Sequence, residues 1–387
     1  MRILHLTHTD ILHDARILKE MQAISKADKT YNVHGIGVML DEGSTATNDS
    51  IGITVHTVVL RAKKWRFLPT VVRHSLTLFE LMFKVFFKAL RLKPNMVHCH
   101  DTFVLPLGVV LKIFTRAKLV YDAHELESNR NGLTKTLGKM TLFSEIFFWK
   151  FIDRLIIVSP SIQKWYIDNI GEKRSEIILN TPILEKVNEG IDKKYLRKKF
   201  SIPDSSKIFI YIGIFGRGRS IENFLKVFKA EDITSHIVFL GYGELKEDLV
   251  KISEEFSNIH VHDAVPHEKV LAVAKSADIG LCFIENVSLS DYYCLPNKLF
   301  EYAFAEIPVL ASSFPDIKTV VDKYNLGKCS DVDFQSIYKA TQELEIMQDL
   351  LKINANDLYD LSWSAQERKL ILLYESITKE IKEGIVK

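Results

Sequence analysis

Between Tyr293 and Ser312 the chain sets an asparagine, a lysine and a glutamate at what reads as the start of a helix. These residue types at this spacing can hold a nucleoside diphosphate. The apolar run Ile279–Phe283 reads as a strand entering a polar loop that ends at Pro296 and Asn297. Asn297 is a favourable N-cap, because its side-chain oxygen can accept from an amide that has no partner in the first turn. The amides of such a start favour anions, phosphate above all. Glu301 lies about one turn further on, where a carboxylate can take the hydroxyl protons of a ribose. Pro308-Val-Leu-Ala-Ser then opens the next strand.

A second phosphate-suited segment follows the strand Ile208–Ile212. It reads Gly213-Ile-Phe-Gly-Arg-Gly-Arg-Ser-Ile-Glu. Glycines at 213, 216 and 218 let backbone approach a ligand closely, and Arg217 and Arg219 supply cationic donors. A dinucleotide site competes with this reading. It would require Gly-x-Gly-x-x-Gly and an acid at the tip of the next strand. That strand ends Val238-Phe-Leu-Gly241-Tyr-Gly243 with no carboxylate, so the dinucleotide reading is set aside.

The elements that must position these residues alternate between short apolar runs and helical patterns, the signature of βα units on parallel sheets. Strands are expected at Ile3–Leu6, Val33–Gly37, Thr54–Leu60, Met96–Cys99, Leu119–Tyr121, Leu155–Val158 and Ile177–Leu179, with helices near 14–27, 69–92, 103–114, 133–152 and 160–169. A polar stretch from Glu185 to Ser206 reads as a linker with one short helix. The pattern then restarts at Ile208, with further strands at Ile237–Leu240, Ile259–Val261, Ile279–Phe283, Val309–Ala311 and Gly327–Cys329. The expected class is α/β, with two Rossmann-like doubly wound domains facing a cleft. The N-terminal domain spans 1–185 and the C-terminal domain 186–362. In open sheets of this kind ligands bind at the carboxyl ends of the strands.

Bulk composition narrows the function classes. The 387 residues are 47% hydrophobic, enough for two cores, and the net charge of +2 implies no polyanionic partner. Four scattered cysteines without a C-x-x-C pair argue for a reducing compartment and against a zinc cluster. The N-terminal Met-Arg-Ile-Leu-His-Leu-Thr-His reads as a strand rather than a signal peptide, and no long uncharged apolar stretch predicts a spanning helix.

The charge is unevenly placed. Residues 61–93 hold nine Lys or Arg against one acid, Glu80, so the remainder of the chain is net acidic. From Pro69 onward Arg73, Thr77, Glu80, Lys84, Lys88 and Arg91 recur every three or four positions as a narrow polar stripe. Val71, Val72, Leu76, Phe79, Met82, Phe83, Phe86, Phe87 and Leu90 cover the rest. A basic, aromatic amphipathic helix suits an anionic bilayer surface. The segment 140–152, with Phe143, Phe147, Phe148, Trp149 and Phe151, is a second candidate. Buried helices with outward-snorkelling lysines are the alternative. Nucleic acid is not expected, since the charge lies on a long apolar helix rather than among exposed stacking residues.

The 293–312 segment resembles the donor motif of glycosyltransferase family 4, the retaining enzymes of the two-domain GT-B fold, in a branch with a Pro-Asn-Lys-Leu-Phe-Glu-Tyr variant. The resemblance covers most of the chain and is strongest from Ile208 to Ser312. Glu301 matches the second glutamate, which holds the donor ribose. The first falls at Tyr293, where the family places a contact to the sugar or its diphosphate. Pro296, Asn297 and Lys298 open the diphosphate-binding helix. In the glycine loop Arg219 stands where a lysine is expected, and Ile214 replaces an arginine, with Arg217 available to compensate. Gly241-Tyr-Gly243 matches the family's Gly-x-Gly turn, and Val265 lies in the segment whose backbone reads the base.

On the N-terminal side the resemblance puts His100 against the donor sugar and makes His100, Arg219 and Glu301 the catalytic set, with Gly213 among the donor contacts. His13, Asp14, Arg16, His124 and Glu125 are acceptor-side candidates. Asp14 and Asp101 read most simply as helix caps. Asp331 and Asp333 also read as capping residues, so no metal and no cofactor beyond the nucleotide sugar are expected.

The implied function is a metal-independent, retaining sugar transfer from a nucleotide-sugar donor to a hydroxyl of a glycan or lipid-linked acceptor. The implied setting is bacterial surface polysaccharide or cell-envelope synthesis, with the protein cytoplasmic and peripheral on the inner face of the membrane. The helix 363–387 resembles the family's last helix, which packs back on the N-terminal domain. The alternatives are a catalytically dead sugar-nucleotide-binding scaffold subunit and a nucleotide-sugar epimerase of the same fold.

Overall fold

Most of the short strands are followed by a helix, and this rhythm builds two parallel sheets in a computed structural model that describes residues 1–38, 52–183, 192–347 and 353–385. The chain divides into two units. One comprises Met1–Ile178 with Glu367–Lys387, and the other Leu179–Gln366. The chain thus leaves the first unit a few residues before the expected boundary at 185, then returns to it. The first part of the expected linker, 185–191, lies outside the described residues.

In the first unit the strands are β1 (Arg2–Leu6), β2 (Asn32–Val38), β3 (Ile53–Val58), β4 (Met96–His100), β5 (Lys118–Ala123), β6 (Arg154–Ile157) and β7 (Ser175–Ile177), in the order β3-β2-β1-β4-β5-β6-β7. The helices are α1 (Ala15–Ala27), α2 (Thr70–Leu92), α3 (Leu105–Thr115), α4 (Lys135–Phe148) and α5 (Pro160–Asn169). β7 pairs two residues earlier than the apolar run Ile177–Leu179 suggests. Ile178 and Leu179 are buried by packing without continuing the β7 ladder.

The second unit contains α6 (Tyr195–Phe200), β8 (Ile208–Ile214), α7 (Ile221–Phe228), β9 (His236–Tyr242), α8 (Lys246–Glu255), β10 (Ile259–Asp263), α9 (His267–Ala274), β11 (Ile279–Cys282), α10 (Leu289–Tyr292), α11 (Asn297–Phe304), β12 (Val309–Ser312), α12 (Pro315–Lys323), β13 (Gly327–Ser330) and α13 (Phe334–Ile346). Its sheet order is β10-β9-β8-β11-β12-β13. In both sheets the order reverses beside the first strand of the unit. This is the topological switch point of a doubly wound fold, where a ligand crevice opens.

Near-continuous hydrophobic strands explain why the sheets are covered on both faces. Phe209, Phe215, Phe224, Phe228 and Phe239 are essentially fully buried in the second unit. Tyr302 of α11 lies over Gly280 of β11, where a Cβ would come within 2.3 Å of its ring. Its hydroxyl donates to Ile210 O at 3.1 Å and accepts from Ile212 N at 3.0 Å. These bonds tie α11 to β8 and so fix the helix that carries Asn297, Lys298 and Glu301.

The last helix, α14 (Trp363–Ile385), runs into the first unit. Thr378 Oγ1 lies 2.9 Å from the hydroxyl of Tyr31. Glu380 is paired with Lys118 at 3.2 Å and with Arg174 at 3.1 Å, and it also bonds Arg154.

Candidate functional site

The glycine loop and the start of α11 come together in the second unit. They line a cavity of about 320 Å³ that includes Tyr211, Gly213, Arg219, Pro296, Asn297 and Lys298. No carboxylate among the described residues pairs with Arg219, which leaves its guanidinium available to an anion. The loop is held from outside by Glu285, which the sequence reading missed. Its Oε1 accepts from Ser220 N at 2.9 Å, and its own amide donates to Gly218 O at 3.0 Å. A lone glutamate two residues past an apolar strand carries no sequence signal for that role.

Several expectations need correction here. Asn297 is the first residue of α11 rather than its cap; Pro296 holds the capping position and no side chain caps the end. No side chain therefore covers the first-turn amides, of which Leu299 N donates to Pro296 O at 3.0 Å. Glu301 is buried and ion-paired with Lys298 at 2.9 Å. Arg217 is exposed and does not line the cavity. Gly241 is required by the fold: a Cβ there would come within 1.9 Å of Gly213 O on the neighbouring strand. Val265 and Tyr293 are half-buried and stand outside the lining.

In the first unit the parallel register places His5 of β1 opposite His98 of β4, and His100 opposite Asp122 of β5. Alternation along β4 points His98 and His100 to one face. A file of buried polar groups results. His5 Nδ1 lies 3.0 Å from His100 Nε2, and His100 Nδ1 lies 3.0 Å from His124 Nε2. His98 Nδ1 lies 2.6 Å from the hydroxyl of Tyr374. Asp122 receives Arg16 Nη2 at 3.1 Å and stands 3.3 Å from His124 Nε2. Arg16 Nε is 3.1 Å from Glu20 Oε1.

This geometry moves the N-terminal candidates. Arg16 is buried between Glu20 and Asp122 as the central cation of the file. His100 is fully buried, and its two ring nitrogens lie within hydrogen-bond distance of His5 and His124. Asp14 caps α1, accepting from Arg16 N and Ile17 N. His13 is exposed and pairs with Asp10 at 3.0 Å. Glu125 is half-buried beside His124. Asp333 caps α13. Asp101 stands at the start of the turn Thr102–Val104 without a side-chain capping bond. It turns instead to His124 Nδ1 at 3.5 Å and His8 Nδ1 at 3.9 Å.

Charge in the file is sorted by position. Burial, reinforced by the neighbouring imidazoles, holds His5 and His100 well below the ordinary histidine range. Burial alone would raise Asp122, but Arg16 and His124 outweigh it and hold the carboxylate well below its usual range. For His124 burial opposes the charge, yet Asp122 and Asp101 overcome it and raise the imidazole to about 9. A cation thus stands at the outer end of the file, and the rings of His5 and His100 inside it are held neutral. The donor atoms of His5, His98 and His100, and of Glu20, His98, His100 and Asp122, lie close enough together to hold a metal ion. The Arg16 guanidinium already supplies the positive charge between Glu20 and Asp122. The contacts described within the group are hydrogen bonds and ion pairs.

The architecture matches solved glycosyltransferase structures along nearly the whole chain. Sucrose-phosphate synthase from Thermosynechococcus elongatus superposes with a TM-score of 0.71 at 15% identity, covering 99% of this chain and 98% of that one. Anabaena HepE in complex with UDP and glucose gives 0.67 at 12% identity, covering 100% and 99%. The fold is GT-B. In sequence, the chain is 22% identical over 375 residues to chitobiosyldiphosphodolichol beta-mannosyltransferase of Kluyveromyces lactis, covering 88% of this chain and 81% of that protein. No family model matches the chain.

Both candidate regions lie where this fold carries ligands, at the carboxyl ends of the central strands. The donor-type cavity gathers residues that follow β8 and β11, and the imidazole file opens at the ends of β4 and β5.

Proposed function

We propose that the protein is a nucleotide-sugar-dependent glycosyltransferase whose acceptor is a hydroxyl of a membrane-borne or lipid-linked glycan. The observation that carries the reading is the second-unit cavity, where an arginine with no carboxylate partner among the described residues and a helix start without a side-chain cap converge. Arg219 and the α11 amides stabilise the diphosphate as charge builds on it. Glu301, drawn from Lys298, takes the ribose hydroxyls. The relatives support this reading, since one is named a mannosyltransferase and another is solved with UDP and glucose.

The membrane part rests on the exposed faces of the first unit. On α2, Phe79 is 69% exposed and Phe83 55%, while Leu81, Val85 and Ala89 face inward. Phe114 at the end of α3 packs edge-on to Phe86, and Met140, Phe143 and Phe147 are exposed on α4. Arg61, Lys63, Lys64, Arg66, Arg91 and Lys93 are exposed around the ends of α2. Aromatic groups flanked by cations match an anionic lipid surface. Among the described residues no helix is long and apolar enough to cross a membrane. Assembly of a cell-surface glycan is the setting such an acceptor implies.

The test is calorimetric titration of the purified chain with UDP, GDP, CDP, ADP and NAD, repeated on Glu301→Ala. One nucleoside diphosphate should bind, with at least tenfold weaker affinity in the variant, the size of a lost charge-assisted hydrogen bond. Binding of none of them, or binding indifferent to Glu301, would sink the reading.

A further inference from the structure

We infer that the turn from Arg61 to Leu68 is a preformed anchor for an anionic bilayer, with Trp65 and Phe67 entering the headgroup layer and Glu80 holding the turn in shape. The inference rests on the membrane part of the proposed function and adds to it the inserting residues and the residue that positions them.

Between 61 and 93 the sequence sets nine cations against one acid, and the structure shows what that acid does. Glu80 stands on α2, and its carboxylate grips the backbone of the turn. Its Oε1 accepts from Arg61 N at 3.1 Å and its Oε2 from Ala62 N at 2.8 Å. Lys84, one helical turn along α2, pairs with the same carboxylate and donates to Val59 O at 2.7 Å. Hydrogen bonds to an ionised acceptor are the strong ones. Burial opposes the charge on Glu80, yet the Ala62 amide, Lys84 and the Arg61 amide outweigh it and hold the carboxyl below its usual range. The clamp is therefore intact at neutral pH.

The turn is also ordered by its own backbone. Lys64 N donates to Arg61 O at 3.0 Å, Trp65 N to Ala62 O at 3.1 Å and Leu68 N to Trp65 O at 3.2 Å. Ala62 is buried, whereas Trp65 is 43% exposed and Phe67 80%, with their ring centroids 6.3 Å apart. Rings held this far out of the core add little to the fold, and exposed apolar groups of this size mark contact surfaces. A turn already fixed in shape loses little conformational freedom on binding.

Charge and continuity set the occupant. Arg61, Lys63, Lys64 and Arg66 are exposed around the two rings. Tryptophan favours the membrane–water interface, and lysine and arginine are drawn to anionic headgroups. The clamp ties the turn to α2 one residue from Phe79, whose ring centroid lies 6.2 Å from that of Phe83. The anchor thus continues the exposed aromatic face of α2.

The sign of one substitution separates a shaped anchor from plain charge attraction. Glu80→Gln makes the chain more positive by one charge, which alone would tighten binding to anionic vesicles. The clamp predicts the opposite, because the carboxamide offers an oxygen and an NH2 group where two oxygens had accepted.

The full chain and its variants would be sedimented with vesicles of phosphatidylglycerol and phosphatidylcholine, with melting temperatures recorded alongside. Wild type should bind the mixed vesicles and not pure phosphatidylcholine. Trp65→Ser with Phe67→Ser should keep the melting temperature and bind at least tenfold more weakly. Glu80→Gln should bind roughly threefold more weakly, the cost of ordering the turn on contact. Tryptophan quenching by brominated lipid should appear in wild type and vanish in Trp65→Phe.

Binding by the Trp65/Phe67 variant within twofold of wild type, tighter binding by Glu80→Gln, or absence of quenching in wild type would overturn the anchor and leave the face of α2 as the membrane contact. If Glu80→Gln melts well below wild type, the exposed pair alone decides. A wild-type chain that ignores anionic vesicles would overturn the anchor and the membrane reading together, while the nucleotide titration decides the transferase reading separately.

Discussion

The hydroxyl of Tyr374 lies 2.6 Å from Nδ1 of His98, although 276 residues separate them in the chain. Tyr374 is on the C-terminal helix, and His98 is a buried residue of the fourth strand. This contact makes α14 part of the first unit's core and closes the inner end of the imidazole file. Ile377 and Leu370 are also fully buried on that helix, so its attachment combines apolar burial with a specific polar contact.

Tyr374→Phe keeps the ring and deletes the hydroxyl. It leaves a buried imidazole nitrogen without its partner. Stability should fall by about 1–3 kcal/mol, the cost of an unsatisfied buried polar group. Urea unfolding followed by intrinsic fluorescence checks this. An unchanged midpoint would show that the contact contributes nothing net.

Glu145 on α4 is buried against three hydroxyls: Tyr166 at 2.5 Å, Tyr121 at 2.8 Å and Thr102 at 3.3 Å. Burial outweighs these donors and raises its carboxyl to about 7. A carboxyl whose folded value is raised stabilises fully below its unfolded value near 4.5. That contribution is lost as pH rises through 7. Glu145→Gln removes the titration. The stability of the variant relative to wild type should therefore rise between pH 4.5 and 7, by on the order of 3 kcal/mol. A difference that is flat across this range, measured by chemical unfolding at several pH values, would refute it.

Phe79 and Phe83 are exposed on α2, so their loss should leave the fold intact. Phe79→Ser with Phe83→Ser should weaken binding to vesicles of phosphatidylglycerol and phosphatidylcholine at least tenfold, given the apolar area that two aromatic rings bury. Binding by the wild type should also fall as salt is raised, because the surrounding lysines and arginines act through screened charge. Sedimentation with vesicles reads both effects. Equal binding by variant and wild type would remove α2 from the contact.

Much of this protein follows from local sequence. The strands announce themselves as short apolar runs between turn residues. The strands read at Ile208–Ile212 and Ile279–Phe283, observed at Ile208–Ile214 and Ile279–Cys282, were legible because a strand buried on both faces must be hydrophobic throughout. Arg219, Asn297 and Lys298, which line one cavity of the second unit, stood out for a related reason: a glycine loop and a helix start are local pieces that each carry their own composition. The exposed aromatics of α2 were visible as a periodicity that one neighbour could not bury.

What only the tertiary structure decided is who stands beside whom. Strand alternation puts His98 and His100 on one face of β4, but register alone set His5 opposite His98 and Asp122 opposite His100. Arg16 reads as an ordinary helix residue until α1 packs on the sheet and brings it to Asp122, 106 residues away. Asp101 reads as a cap until the backbone takes a conformation that aims it at His124. Local interactions act over a few residues and leave a compositional trace. Register, packing and an enforced backbone angle depend on contacts across a hundred residues or more, and no short stretch of chain contains that information.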